Sequence, residues 1–589
     1  MKPFLRIFAN ATQTTIVFRY EVAIPDCNGF AIYRLRNGQT EDKAEVLRNQ
    51  IGYASDQPIA PGADAATRVW RLTSSEKWPI QRFIWTDYLV GPGDRVQYRV
   101  VPVIRQAGQN HLAPEHASDW SESVRVGQPT NGAEAYFNRG FVASQFLARR
   151  LFKLDPNFAK NKTLAGEIAK EASPIRAFLG GTLAERLTRL LDEIAADPLL
   201  TVHAALYELH EPTLIRRLAK IGNRANVILA NGPNPKGEDK NPHLLAGEVE
   251  WDANWESRRT LKAAGVVVVD RLVQGHQIHN KFLVISRGGV PVRVWTGSTN
   301  WTPNGLFTQL NNGLLLSDAG VAEWFRTQWD AIGADNSQMS RAYIEQNDRP
   351  RQRPANDTTV WFAPSEKLDG STADKQLFGD LEAVKHLIDG AKHGILFLMF
   401  SPSITRTDSL YDYLLEVKDR NPALLIHGVL NTISKKNLGR DEFKIEFIER
   451  GHLKDGDTTT ATPKSIASTT AFWQSEQSRP TVAIHSKIIV IDPFGDVPVV
   501  ITGSHNLGVA ASGNNDENMV IIRQNAPLAQ AYAVHILAAF DHYNWRYRFA
   551  NDPNALLNKG LDEGADWMTR FMTADRLHEL DFYLPRLPV

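Results

Sequence analysis

The sequence predicts an α/β fold written twice, preceded by an antiparallel β-sandwich. Three observations point there. Residues 1–127 carry period-two apolar patterns and turn signals, with no helical period of comparable strength. From about residue 128 helical and strand patterns alternate. The stretch from Gln277 to Leu316 then returns without a gap, at an offset of 206 residues, as Ala483 to Ile522. A chain of 589 residues exceeds one core. Four segments are expected: a β-sandwich at 1–127, a first α/β half at 128–340, a second at 341–550, and a C-terminal extension at 551–589.

In the first segment "FAIYRLRNG", "RFIWTDYLV" and "RVQYRVVPVI" alternate apolar and polar positions, and "GPGD" forms a turn between the last two. Trp85 is expected as a core aromatic and Tyr98 on a late strand. This pattern resembles a fibronectin type III domain, which implies a structural or docking module able to hold a protein partner. In the first half "TLAERLTRLLDEI" puts Leu183, Leu187, Leu190 and Ile194 on one helical face. The strand "LLTVHAALYEL", the helix "TLIRRLAKIG" and the strand "ANVILAN" follow. The second half repeats the order with "LFGDLEAVKHLI", "GILFLMFS", "SLYDYLLEVKDR" and "ALLIHGVLN". Between the halves, 334–359 is polar and short of apolar residues, so it reads as a linker, with "RPRQRP" a solvated part of it.

Basic and acidic residues balance at 66 each, which excludes a whole-molecule basic field for nucleic acid and leaves a local groove open. Cys27 is the single cysteine, so no disulfide framework or cysteine metal site can form. The start "MKPFLRIFANATQTTIVFRYEV" has no long apolar run, so no signal peptide is expected and the cytoplasm is the expected compartment, signal-independent export remaining open.

The repeat carries the chemistry. His279 falls on His485, Lys281 on Lys487, Gly297 on Gly503, Ser298 on Ser504, Asn300 on Asn506 and Asn312 on Asn518. "IHNKFLVI" and "IHSKIIVI" are buried strands, on which residues two apart share a face, so each His and Lys project together. The turn after the next strand can bring in Asn300 or Asn506. If the halves pack about a pseudo-twofold axis, two ammoniums and two amides face a tetrahedral anion as donors. Two imidazoles on opposite sides of phosphorus suit in-line displacement, one attacking and one protonating the leaving oxygen. Carboxylates are too few in the motif for a metal cluster, so neither metal nor cofactor is expected. With both motifs in one chain, a monomer can carry the full site.

The pattern resembles the phospholipase D superfamily, whose signature is H-x-K-x-x-x-x-D followed by G-S-x-N. The second copy matches in His485, Lys487, Asp492, Gly503, Ser504 and Asn506; the first in His279, Lys281, Gly297, Ser298 and Asn300. The resemblance implies a pseudo-twofold α-β-α fold, a phosphohistidine intermediate, and hydrolysis or transfer at a phosphodiester. It makes His279, Lys281, Asn300, His485, Lys487, Asn506 and Glu517 the candidate catalytic set, with Ser298, Thr299, Ser504 and His505 as candidate substrate contacts and Asn311 and Asp492 in support. The first copy departs in having Ser286 where the family has Asp. By strand parity this position faces away from His279, so the equivalent Asp492 is expected to support rather than react.

A second asymmetry lies eleven residues past each Asn, with Asn311 in the first copy and Glu517 in the second. In the family a carboxylate here hydrogen-bonds the catalytic His and favours its protonated form. Pairing within each copy makes His485 with Glu517 the general acid, and His279 with Asn311 the nucleophile. The family also usually takes its nucleophile from the N-terminal copy. His276 and Asp516 are expected only to pack or face solvent.

The expected activity is metal-independent phosphodiester cleavage, with nucleic acid favoured as substrate. A phospholipase D or phosphatidyl transferase shares every catalytic residue and would want apolar loops at the site's mouth, for which "GLFTQL" (305–310) and "TTAFWQ" (469–474) are candidates. A third possibility is a non-catalytic binding protein with a decayed first motif.

Overall fold

The structure is a computed structural model. It describes residues 2–56, 72–127, 132–140, 145–155, 157, 161–232, 252–273, 276–372, 375–400, 409–434, 442–449, 452–455, 484–551 and 560–584. The "TTAFWQ" stretch lies outside these. Contacts group the chain into two compact units. One comprises Met1–Gln128, His452–Ser478 and Ala529–Val589, the other Pro129–Gly451 and Arg479–Leu528.

The first unit holds the expected β-sheets. Phe4–Ala9, Thr14–Arg19 and Ile84–Asp87 form one antiparallel sheet. Val124–Arg125, Arg95–Gln106, Cys27–Arg36 and Glu45–Val46 form another, with Gln109–Leu112 hairpinned onto Arg95–Gln106. Inward-facing aromatics fill the core: Phe18 meets Phe30 edge-on at 4.7 Å. Tyr98 is fully buried, sharing its hydroxyl with Thr14 Oγ1 at 2.7 Å and donating to Asp87 at 2.9 Å. Trp85 is only half-buried, because its strand lies at the sheet edge opposite Ile16. The indole of the core comes instead from the C-terminal segment. Trp567, on the helix Asp566–Phe571, packs on Phe30 and Phe83 at 5.7 and 6.0 Å and donates Nε1 to the Cys27 carbonyl at 2.9 Å. The unit is discontinuous in sequence, and Trp567 from the C-terminal segment joins its aromatic core.

The second unit contains two sheets of matching order. One runs Ala133–Phe137, Asn312–Leu316, Val290–Gly297, Lys281–Arg287, Leu200–Leu206, Ala225–Leu229, Val267–Asp270. The other runs Thr358–Ala363, Glu517–Arg523, Val499–Gly503, Lys487–Ile491, Gly394–Phe400, Leu425–Ser434, with Arg351–Arg353 and Glu442–Glu449 adding strands outside this common set. Lys281 pairs with Leu206 and Lys487 with Met399, so both lysines enter at the same register.

Local chemistry sets the helices. Ser173 caps Pro174–Ala196 by accepting from Ile175 and Arg176 amides, and Pro174 supplies a first-turn residue with no N–H to satisfy. The run breaks at Gly181 (φ 51°, ψ −150°), and the helical stretch beyond it buries Leu183, Leu187, Leu190, Leu191 and Ile194, as the period predicts. In the second half, Gly379–Asp389 and Leu410–Arg420 press Leu381, Val384, Ile388, Leu414 and Val417 onto Ile395, Phe397, Ile489 and Ile521 of the sheet. Each such side chain contributes about 1.5–3 kcal/mol of burial.

The expected linker is ordered. Arg341–Glu345 is a short helix and Arg351–Arg353, within "RPRQRP", is a strand paired to Thr358–Val360. Tyr343 anchors it, 3% exposed, donating its hydroxyl to Asp516 Oδ1 at 2.8 Å. Arg353 is paired with Asp318 at 3.3 Å while its side chain stays largely open to solvent. Asp516 is fully buried between Tyr343 and Arg271, not solvent-facing. The "GLFTQL" stretch is core: Leu306, Phe307 and Leu310 are each 1% exposed, so it offers no apolar mouth.

Candidate active site

The two HxK strands bring His279 and His485 face to face, with ring centroids 6.4 Å apart and ring planes inclined by 64°. A local twofold relation is visible atom by atom. The His279 amide donates to the Asp516 carbonyl and the His485 amide to that of Leu310, each at 3.0 Å. Thr296 Oγ1 donates to Asn518 Oδ1 at 2.6 Å, and Asn312 Nδ2 to Thr502 Oγ1 at 2.9 Å. Tyr207 stands 4.9 Å from the His279 ring, and Phe400 5.0 Å from that of His485.

The glycines of the two turns follow from this packing. Gly297 and Gly503 have φ of 142° and 141°, and a Cβ at either would collide with the carbonyl of Asn312 or Asn518. Only glycine suits both the conformation and the approach.

The histidines pair across the halves, which corrects the pairing expected within each copy. His279 Nδ1 lies 2.8 and 2.9 Å from the two oxygens of Glu517. His485 Nδ1 lies 3.0 Å from Asn311 Oδ1. Asn311 is fixed in that orientation because its Nδ2 donates to the Gly305 carbonyl at 2.9 Å. Both acceptors thus call for a proton on Nδ1 and leave Nε2 for chemistry, while the backbones of Ser504 and Ser298 also bond the His279 and His485 rings. The physical reason for the crossing is reach. Asn311 and Glu517 begin or adjoin strands whose turns lie against the other half's HxK segment, as the Leu310–Ile484 and Gln277–Asn515 bridges record.

Ser298 and Ser504, expected to touch substrate, act one step behind the rings. Ser298 Oγ donates to Asn311 Oδ1 at 2.8 Å and accepts the Asn312 amide. Ser504 bonds Glu517 and accepts the Asn518 amide at 3.0 Å. Thr299 Oγ1 donates to the Asn312 carbonyl at 2.9 Å. His505 is also turned into the protein: its Nδ1 accepts the Leu507 amide at 3.0 Å, and its Nε2 lies 3.1 Å from Asp380 and 3.2 Å from Ser512. All four are 2% exposed or less, and their polar atoms are taken up by these contacts.

The lysines are equally buried, each 1% exposed. Lys281 Nζ donates to the His279 carbonyl and Lys487 Nζ to the His485 carbonyl, both at 2.6 Å. Each also lies over an aromatic ring, Tyr207 at 5.1 Å and Phe400 at 4.8 Å. Desolvation lowers the Lys281 ammonium to about 7, with Glu517 and Glu208 opposing. It pushes Lys487 well below its usual range, and Lys281 adds to that push. Burial, then the two lysine charges, hold both imidazoles far below the usual histidine range. Burial raises the Glu517 carboxyl to about 7, with Lys281 the largest opposing influence.

Asn300 and Asn506 complete the set, each with a buried Oδ1 that has no protein partner. Asn300 Nδ2 donates to Glu208, a residue outside the aligned motif. Glu208 follows Tyr207 at the end of the strand beside Lys281–Arg287, and both Lys281 and Lys487 act on its charge. A usable signal existed in the sequence: an acid at the carboxyl end of a central strand, where α/β sheets place their ligands.

Asp492 stands at the far end of its strand, accepting the Lys392, His393 and Gly394 amides at 2.8, 2.8 and 2.9 Å. It braces a loop and touches none of the ring partners. In the first half Asp197 does comparable work, accepting the Leu199 amide at 3.0 Å, while Ser286 Oγ is buried without a partner. His276, half-buried, bonds the Asn514 carbonyl at 2.8 Å. Among the described residues no group of three or more His, Cys, Asp or Glu could hold a metal ion. No helix among them is long and apolar enough to cross a membrane.

Residues 384–539 match the family described as "Cardiolipin synthase, PLD-like domain". No curated protein matches. Among solved structures, a polyphosphate kinase from Porphyromonas gingivalis is similar at 14% identity over 62% of this chain, TM-score 0.34; the chain spans 45% of that protein's length. The phosphatidylserine synthase of Haemophilus influenzae Rd KW20 is similar at 10% identity over 68% of this chain and 93% of its own, TM-score 0.38. A phospholipase D family member, Nuc, from Salmonella typhimurium is similar at 16% identity over 27% and 90%, TM-score 0.20. Behind its N-terminal β-sheets, and over residues 384–539, this chain carries a phospholipase D-like domain.

Proposed function

We propose that the protein is a metal-independent phosphodiesterase working through a phosphohistidine, with nucleic acid as its substrate. The observation that carries this reading is the pair of facing imidazoles whose Nδ1 atoms are both held by the opposite half. His279 Nε2 attacks phosphorus, and the bond to the leaving oxygen breaks as His485 Nε2–H supplies its proton. His485, now neutral, takes a proton from water. The water oxygen attacks phosphorus and breaks the P–N bond, giving a monoester and an alcohol. Lys281, Lys487, Asn300 and Asn506 hold the non-bridging oxygens.

His279 keeps the nucleophile's role for a different reason from the one pairing within each copy suggested. Attack places positive charge on its ring, and Glu517 stabilises that charge. The acid has the neutral Asn311 as partner, so it releases its proton more readily. Lys281 and Lys487 set against Glu208 and Glu517 leave the group with no net charge when both rings are neutral, whether the two lysine–carboxyl pairs are ionised or share their protons. A phosphodiester brings one negative charge, which offsets the lysines and favours protonation of His485. The Asp492 contacts support loop bracing rather than chemistry, so Ser286 is compatible with an active first half.

The core placement of "GLFTQL" removes one of the two candidate lipid-facing loops, "TTAFWQ" lying outside the described residues, and this supports nucleic acid over lipid. The description of the matched family favours phosphatidyl transfer as the second reading. The test is cleavage of supercoiled plasmid and single-stranded DNA in excess EDTA, with His279→Asn and His485→Asn as controls. Cutting that both substitutions abolish is expected. No cutting, with head-group release from vesicles, would establish the second reading; silence in both assays would leave a binding protein.

A further inference from the structure

In the sequence, the position of the second half that aligns with Glu208 has no carboxylate. Tyr207 over His279 matches Phe400 over His485, so in the sequence Glu208 aligns with Ser401. Its carboxylate accepts the Asn300 amide and lies in the field of Lys281, Lys487 and His210, with the Tyr207 phenol on its other flank. Three of these groups, Asn300, Lys281 and Lys487, are the donors assigned above to the phosphate oxygens. Burial raises its carboxyl above the usual range, and His210, Lys281 and Lys487 oppose that without cancelling it, so its negative charge is fullest at the higher pH.

We infer that Glu208 makes the site select singly charged phosphodiesters over doubly charged phosphomonoesters, by fixing a negative charge beside the anion subsite. This rests on the phosphodiester reading above. A diester carries one charge across the working pH range, whereas a monoester takes its second charge near pH 6. The first charge is balanced by a proton on His485. A second would meet two resident carboxylates in a buried site, with only His210 left, among the described groups that act on Glu208, to oppose it. The same repulsion expels the product, since hydrolysis converts the one class into the other. The aligned half, with Ser401, brings no such charge.

The experiment is calorimetric titration of full-length His279→Asn protein, which cannot turn over, with phenyl phosphate and with diphenyl phosphate, at about pH 5 and about pH 8. Phenyl phosphate is expected to weaken at the higher pH by on the order of tenfold relative to the diester. Adding Glu208→Gln, which keeps an acceptor for Asn300, is expected to remove most of that loss. Adding Glu208→Ala instead should weaken the diester too, because Asn300 loses its anchor. A monoester-to-diester ratio unchanged by Glu208→Gln overturns the inference alone, if wild-type protein still cleaves diesters. If neither anion binds and wild-type protein cleaves no diester, the proposed function fails and takes this inference with it.

Discussion

Glu517→Gln tests which histidine attacks. Glutamine keeps an acceptor for His279 Nδ1 and removes the charge. As the P–N bond forms, the ring becomes cationic with the carboxylate 2.8 Å from Nδ1. With charge centres about 4 Å apart and an effective dielectric of about 20, that attraction is about 4 kcal/mol. Lys281 and Lys487 already draw on the same carboxylate, so about 2–3 kcal/mol should remain, or on the order of 10²-fold in rate. The assay is turnover of a series of thymidine phosphodiesters whose leaving phenols span a wide range of acidity. An acidic phenol needs little help from a proton donor. Loss in Glu517→Gln should therefore be the same across the series, whereas loss in His485→Asn should shrink as the phenol becomes more acidic. If the Glu517→Gln loss shrinks in the same way, His279 is the acid, and the cross-paired assignment of roles is wrong.

Ser286→Asp, which restores the family's residue, should not raise kcat/KM and should lower Tm. It would bury a carboxylate at a 1%-exposed position whose present hydroxyl finds no partner; about 1–3 kcal/mol is expected, read by thermal unfolding. Glu517 also predicts a pH dependence. Its folded value of about 7 lies above the unfolded carboxyl value, so its contribution is complete below about 4.5 and is lost as pH rises through about 7. Tm of Glu517→Gln relative to wild type should accordingly climb across that window, and a constant difference would refute the shift. Trp567→Ala should cost about 3–5 kcal/mol by opening a cavity beside Phe30 and Phe83, seen as a lower Tm with DNA cleavage as a separate readout.

The repeat was legible because duplication preserves spacing. His279 with His485 and Lys281 with Lys487 stand at one offset, and strand parity alone puts each His and Lys on one face. Parity also separated Ser286 and Asp492 from the chemistry. What parity cannot say is which half's surface a side chain meets, so Glu517 was matched to the histidine of its own copy when it reaches the other. Ser298, Thr299, Ser504 and His505 show a related limit. Polar residues next to an asparagine read as ligand contacts, whereas turns packed this tightly need those hydroxyls and that ring for their own backbone and partners. Tyr343 shows the limit of composition: a polar stretch reads as linker until one buried phenol meets Asp516 and Arg271. Trp567 lay too far along the chain for any local pattern to connect it with Phe30.

The exchange of one acceptor, an amide at 311 for a carboxylate at 517, has a consequence for polarity. Two identical halves would treat a strand threaded forwards or backwards alike, and either ester oxygen could depart. In the proposed reaction, unlike acceptors behind the two rings make one side of the scissile phosphorus the side of attachment and the other the side of departure. A duplicated, nearly palindromic scaffold thereby acquires a sense of direction, and the fragment kept on the enzyme between half-reactions always has the same end.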